Sequence, residues 1–398
     1  MGKPKHMEVK PKAETFARIK VLGIGGSGTN AVNRMTQLGI KGVEFIAINT
    51  DAQALHNNQA DKKVHIGKSA TRGLGSGMNP ELGRQAAEES IEELEEVVGN
   101  ADMVFITCGL GGGTGTGAAP IVAELAKNQG VLTVAVITKP FTFEGSKRKE
   151  VAEAGYDHLK DKVDAIISIH NDRILQIIDK KTSLIESFKT VDEVLRQGIS
   201  GISDLITTHG IVNADFADVK SIMEDAGTAL MGIGRASGET RAADAAKAAI
   251  NSPLLEMNIE GARGILFNIT GGSDLGMFEI DEAAKIITKS IDPDAKVKFG
   301  AVIDESMGEE VKITVIATGF DESNKKPNQI SMGLGDEDRP ASEPSRIFAK
   351  PSGSAPMETR KPLFSPKPAP VIKSMEEKQE NEEDDELDIP AFIRKKMK

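Results

Sequence analysis

The chain has 398 residues, enough for two or three domains with cores of their own. Its net charge of −11 argues against a nucleic-acid-binding surface, and its single cysteine, Cys108, excludes an internal disulfide and a cysteine-based zinc site. No apolar run approaches the ~18–20 residues of a membrane span and no signal-peptide core opens the chain, so a soluble, cytoplasmic protein without direct membrane insertion is expected.

Residues 1–16 are polar, rich in Lys and Pro, and read as a disordered tail. Ile19–Leu22 reads as a strand that runs into Gly23-Ile24-Gly25-Gly26-Ser27-Gly28-Thr29-Asn30, with a helix from Ala31 to Gln37 and a second strand, Val43–Ile48, ending at Asn49-Thr50-Asp51. This is a βαβ unit with a glycine loop at its first turn. A further glycine-rich loop spans 67–79, and an acidic helix is expected over 80–98. The strand Met103–Ile106 then leads into Gly109–Gly117, which holds six glycines in nine positions. Such a run makes a poor strand and a poor helix. It does curl the backbone so that several N–H groups converge, which makes a nest for an anion, with a helix-like run from 118 to 126 behind it. A strand at 132–138, a charged helix from about Ser146 and a strand at 165–169 ending in His170-Asn171-Asp172 complete the alternation. Residues 17–182 therefore predict an α/β, doubly wound, mostly parallel sheet. With no Trp and one Tyr the core must be aliphatic, as such sheets require.

From Ser183 the period changes. Leu184, Phe188, Val191, Leu195, Ile202 and Leu205 recur at helical steps, so one long helix over 183–207 is expected, roughly 36 Å at 1.5 Å per residue. Gly198 and Gly201 weaken its continuity. Residues 208–320 read as a smaller α/β domain, with helices at 239–250 and 280–290 and strands at 264–270, 296–303 and 311–318. Nine of the 17 prolines fall between 327 and 370, so 321–386 reads as a disordered linker. The last dozen residues, 387–398, pair an apolar cluster with basic residues and look like a peptide that docks into a partner's groove.

Gly23-x-Gly25-x-x-Gly28 matches a dinucleotide fingerprint, and Asp51 ends the next strand where a ribose-binding acid would stand. A nicotinamide-dependent dehydrogenase is a fair reading of that region alone. Against it, the second glycine loop has no role in a simple dinucleotide site, and no hydride-transfer constellation follows. Neither loop carries the Gly-Lys-Ser/Thr ending of a Walker motif.

Gly111-Gly112-Gly113-Thr114-Gly115-Thr116-Gly117 resembles the signature of the FtsZ/tubulin GTPases. The likeness extends to Asn49–Leu55, Thr138–Gly145, Asn213-x-Asp215-Phe216-Ala217-Asp218 and the ending Asp388-Ile389-Pro390-x-Phe392-Ile393-Arg394, which resemble the bacterial branch. It covers about residues 17–320 and the last dozen. It implies a tubulin-like fold in which the GTP-binding domain is joined by the central helix to the smaller domain. It also implies a GTP-hydrolysing protein that polymerises head to tail into the cytokinetic ring at midcell.

Site residues follow from the resemblance. Gly25, Gly26, Ser27, Gly28, Thr29 and Asn30 correspond to a first nucleotide loop. Gly112, Gly113, Thr114 and Gly115 would cradle the β- and γ-phosphates, with the Thr114 hydroxyl bonding a phosphate. Glu144 and Arg148 are by spacing an ordinary i,i+4 pair; by resemblance they contact the ribose and phosphates. Asn171 and Asp192 would read guanine, although Glu193 stands beside Asp192 and either acid could make the contact. Phe188 would stack on the base or fill the core. Asp215 and Asp218 read locally as helix caps; by resemblance they orient the attacking water in a neighbouring subunit's site, with Asn213 positioning their loop and Mg²⁺ balancing phosphate charge. The C-terminal peptide resembles the docking segment for FtsA-type membrane tethers and other division regulators.

Overall fold

A computed structural model describes residues 17–320, apart from Lys41, Lys180, His209, Ile211, Asn213 and Glu256. The N-terminal tail, the linker and the 387–398 peptide thus lie outside the described residues, as does Asn213.

The first part of the chain runs β1 (Ile19–Ile24), α1 (Gly25–Leu38), β2 (Val43–Asn49), α2 (Ala52–His56), β3 (Lys62–His65), α3 (Lys68–Thr71), α4 (Pro80–Glu89), α5 (Ile91–Val98), β4 (Met103–Gly109) and α6 (Gly113–Asn128). It continues β5 (Leu132–Lys139), α7 (Ser146–Lys160), β6 (Ala165–His170), α8 (Asn171–Ile174) and the long α9 (Leu184–Thr207). The remainder is α10 (Phe216–Met223), β7 (Gly227–Ser237), α11 (Arg241–Ile250), β8 (Gly264–Gly271), α12 (Met277–Thr288), β9 (Lys296–Ile303) and β10 (Glu310–Thr318).

The strands form one sheet in the order β3-β2-β1-β4-β5-β6-β7-β10-β8-β9. Every pairing from β3 to β7 is parallel, β10 is antiparallel to both neighbours, and β9 is parallel to β8. The central strands are buried on both faces, which is why they read as continuous apolar runs. In β4, Met103 and Phe105 join the core under α1 and α9, while Val104 and Ile106 join the one under α4 to α7.

Strand β7 was not legible, because Gly227, Gly232 and Gly234 weaken any strand pattern. Gly227 has φ 65° and open space beside it, whereas Gly232 and Gly234 answer to packing. A Cβ at Gly232 would lie 2.1 Å from the Ala249 carbonyl oxygen, and one at Gly234 2.0 Å from that of Ala245, so α11 rests directly on the strand. β7 also joins the two halves: Gly227–Ala229 pair with β6, and Leu230–Ser237 pair with β10.

The expected 80–98 helix is broken at Ser90 (φ −116°, ψ 25°), whose hydroxyl accepts the Gly67 N–H at 3.2 Å and ties the break to the 67–79 loop. Helix α9 is continuous across both of its glycines. A Cβ at Gly198 would come within 2.9 Å of Met231 Sδ, and one at Gly201 within 2.8 Å of Thr314 Cγ2, so these glycines let the helix lie close against β7 and β10.

Helix α6 starts at Gly113, inside the glycine run rather than after it. The reason is again close approach, since a Cβ at Gly117 would lie 2.0 Å from the Pro80 carbonyl oxygen and 2.6 Å from the Arg84 nitrogen. Rigid backbone of α4 leaves such a group no room. Gly117→Ala is expected to lose roughly 3 kcal/mol, the upper range for overpacking, read from the urea unfolding midpoint. An unchanged midpoint would mean that α4 and α6 separate at no cost.

Candidate functional site

Parallel strands deliver the loops after β1, β4, β5 and β6 to one edge of the sheet, where ligands of open α/β folds bind. The glycine loops meet there. Gly25 has φ 72°, and a Cβ on it would lie 2.7 Å from the Gly115 nitrogen. The residues before α1 and α6, Ile24 and Gly112, offer no side chain to the first-turn N–H groups. Two helix N-termini with open donors and aligned dipoles thus converge on one place, which suits a polyphosphate.

The individual loop residues divide by role. Ser27 and Asn30 line the cleft that opens beside the loops, and Gly26 is exposed with open space above it. Gly28 and Thr29 face inward: a Cβ at Gly28 would lie 2.3 Å from the Thr107 carbonyl oxygen, and the Thr29 hydroxyl donates back to the Gly25 carbonyl at 2.9 Å. The Thr114 hydroxyl differs from expectation. It is buried against the hydroxyls of Thr50 (2.7 Å) and Ser76 (2.6 Å), where it ties β2 and the 67–79 loop to α6. Phosphate contact at this residue would therefore come from its backbone. Thr116 similarly accepts the Gly111 N–H at 2.9 Å and fixes the turn before α6.

The cleft has a volume of about 290 Å³ and continues along Gly109, Leu110, Thr138 and Pro140 to Glu144, Arg148, Asn171, Phe188, Val191 and Asp192. Glu144 is held twice, by the Arg148 guanidinium at 2.8 Å and by the Phe141 N–H at 2.8 Å. Arg148 Nε is buried and unpartnered, as is Asn171 Oδ1, so both offer hydrogen-bonding capacity that a ligand could satisfy. Phe188 is partly exposed and meets Phe141 edge to face at 5.7 Å, which leaves ring surface free for a base. Asp172 accepts from the Thr142 backbone and hydroxyl and holds the loop after β5 against α8.

Asp192 lies 3.9 Å from Arg34 of α1. Burial pushes its carboxyl up to about 6, and the Arg34 charge opposes that rise. Glu193 points elsewhere, to Arg196 at 2.6 Å and Gln197 at 2.6 Å, so Asp192 is the acid that lines the cleft. Asp51, the acid required of a dinucleotide site, instead caps α2 by accepting from the Gln53 and Ala54 N–H groups. A larger hollow of about 580 Å³ between Lys68 and Glu88–Glu93 is walled by carboxylates and would repel a phosphate. The sequence does not assign Leu110, Thr138, Pro140 or Val191 to the site; Leu110 follows β4, and Thr138 and Pro140 lie at the end of β5, where position in the sheet rather than residue type brings them to the cleft.

Asp215 and Asp218 are at the other end of the fold. Asp192 lies in the first half of α9, and roughly 22 Å of helix separates it from Thr207. Thr207 packs against Gly42, which precedes β2 and so lies at the opposite edge of the sheet. Beyond it, Val212 bridges to Ala301 of β9. Asp215 caps α10 by accepting the Asp218 N–H at 2.7 Å, and Asp218 pairs with Lys298 at 2.6 Å. One chain therefore does not bring these acids to its own cleft. Among the described residues no cluster of His, Cys, Asp and Glu could hold a metal ion.

The model of the Tubulin/FtsZ family GTPase domain matches residues 18–179, and that of the FtsZ family C-terminal domain matches residues 227–321. An empty FtsZ dimer from M. jannaschii superposes with a TM-score of 0.75 at 46% identity, covering 77% of this chain and 89% of that one. A point mutant of FtsZ from M. jannaschii gives 0.74 at 46% identity over 77% and 92% of the two chains. CetZ2 from Haloferax volcanii, in a GTPγS-bound protofilament, gives 0.64 at 21% identity over 75% and 92%, a likeness of fold. These matches lend no support to a dehydrogenase. With both family models in sequence order and 46% identity over most of the folded chain, this protein belongs to the Tubulin/FtsZ family of cytoskeletal, polymerising GTPases.

Proposed function

We propose that the protein is an assembly-activated GTPase of the cell-division type. Its subunits stack head to tail, and each nucleotide lies between the cleft of one subunit and the Asp215–Asp218 loop of the next. The observation that carries this reading is the separation of the two residue sets to opposite edges of one sheet. Each edge alone lacks half of what hydrolysis needs, and a heterologous contact that does not close into a ring yields a filament.

In this reading, the N-termini of α1 and α6 hold the phosphates through backbone N–H groups. Asp192 accepts from guanine N1–H and N2–H₂, which adenine lacks, and Asn171 bonds the base edge. Glu144 and Arg148 hold the ribose and phosphates. Asp215 and Asp218 of the neighbour orient and polarise the attacking water, with Asn213 positioning their loop. Mg²⁺ is a hard cation that commonly binds through substrate phosphates, so the nucleotide itself would carry it and it would offset charge there. The filaments would form the cytokinetic ring at midcell in the cytoplasm, tethered through residues 387–398 by FtsA-type partners.

Sedimentation with GTP or GDP, with phosphate release followed in parallel, tests the reading. Turnover per subunit should be negligible below a threshold concentration and rise with the pelleted fraction. Turnover strictly proportional to protein from the lowest dilution would indicate a self-contained enzyme.

A further inference from the structure

The acid-bearing loop is clamped to β9 at two points. The Ala301 N–H donates to the Val212 carbonyl at 3.0 Å, before the acids, and Lys298 Nζ pairs with Oδ1 of the second acid, Asp218, at 2.6 Å. Between these points, Gly300 lets Leu205 at the end of α9 come close, since a Cβ there would lie 2.2 Å from Leu205 Cδ2. Lys298 is half-exposed at 45%, and Asp218 is less so at 29%. What the position offers is a positive charge beside two carboxylates, and both acids hold the Lys298 ammonium above its usual range, Asp218 most of all.

We propose that Lys298 is a positioning residue for the acid pair. It holds the Asp218 carboxylate in place on β9 and offsets part of the acids' charge when a neighbouring subunit's nucleoside triphosphate docks against them. The inference rests on the reading that Asp215 and Asp218 act on a neighbour's nucleotide. Two uncompensated carboxylates facing a polyanion oppose the contact, and an ammonium paired with one of them reduces that repulsion at short range. A lysine suits the position, because a compact charge on a flexible stem can follow the carboxylate as the contact closes.

Lys298→Met, Lys298→Arg and Asp218→Asn are compared in the full chain, measuring the critical concentration for GTP-driven sedimentation and the phosphate release per pelleted subunit. Lys298→Met should raise the critical concentration roughly fivefold at low salt, and the gap should close toward 0.5 M salt as screening shortens to a few Å. Its turnover per pelleted subunit should fall about tenfold at every salt concentration, because orientation of Asp218 is not restored by screening. Lys298→Arg should recover most of both losses. Thermal unfolding of each variant identifies any folding defect, in which case the Arg variant and the salt series carry the test.

Parent-like behaviour of Lys298→Met in both measurements overturns the proposal. So does a critical-concentration deficit that ignores salt, or equal losses in the Met and Arg variants. The two readings fail separately. If Asp218→Asn filaments hydrolyse GTP normally, the acids are not catalytic. If Asp218→Asn loses turnover while Lys298→Met keeps it, only the assignment of Lys298 falls.

Discussion

Replacing Asp215 by asparagine should give filaments that bind GTP and scarcely hydrolyse it. The asparagine oxygen can still accept the Asp218 N–H that the carboxylate now accepts at 2.7 Å, so the cap of α10 survives. Alanine would lose that cap as well, at about 1 kcal/mol, and would mix a local folding effect with a chemical one. What asparagine cannot do is draw a proton from water. Positioned acid–base groups contribute about 10²–10⁴ in rate, and a loss of at least about 100-fold in phosphate release per pelleted subunit is expected. Nucleotide affinity of the dilute monomer should be unchanged, since Asp215 lies at the far edge of the sheet from its own cleft. Mixing this variant with one whose cleft is disabled but whose acids are intact should restore part of the turnover, because some contacts then pair an intact cleft with intact acids. No recovery from that mixture, with both variants co-sedimenting, would sink the shared-site reading.

The second large effect concerns Asp192 and has opposite signs in two measurements. Burial pushes this carboxyl up to about 6, so it is mostly ionised at pH 7 and mostly protonated at pH 5. If the carboxylate accepts two guanine N–H groups, GTP affinity of the monomer should fall up to tenfold per pH unit below about 6. Stability of the empty protein should respond the other way. A carboxyl whose folded value is raised above the unfolded one disfavours the fold when ionised, so this penalty is present at neutral pH and fades as pH drops through about 6 toward 4. Asp192→Asn should abolish the pH effect on binding and cost at least about 100-fold in GTP affinity, as two charge-assisted bonds are lost. An affinity for GTP that is flat from pH 7.5 to 5.5 would remove Asp192 from base recognition.

Much of the fold was legible because its chemistry is local. Apolar runs marked the strands buried on both faces, and glycine-rich turns after β1 and β4 marked the loops that meet at Gly25 and Gly115. What was not legible depends on tertiary contact. In β7 two of the glycines that blur the strand pattern, Gly232 and Gly234, are the ones that admit α11. In α6 the glycines that argue against a helix sit inside it, because Gly117 faces the backbone of α4. Thr114 presents the same difficulty at a single side chain: its place in the glycine run suggests a phosphate ligand, while the hydroxyl binds Thr50 and Ser76, far away in sequence. The choice between Asp192 and Glu193 could not be made from residue type, since it depends on which side of α9 faces the cleft and where Arg196 stands.

Tyr156 gives the molecule an optical property of practical use. It is the only tyrosine, and the chain has no tryptophan, so emission excited at wavelengths longer than the phenylalanine absorption band arises from this one ring. The ring has Lys139 Nζ 4.3 Å from its centroid, and its hydroxyl sits 3.4 Å from that of Thr228, near the start of β7 where the two halves of the sheet join. A lone fluorophore between a cation and the joining strand is sensitive to small shifts at that seam. Fluorescence intensity and anisotropy can therefore follow the junction during polymerisation without any label.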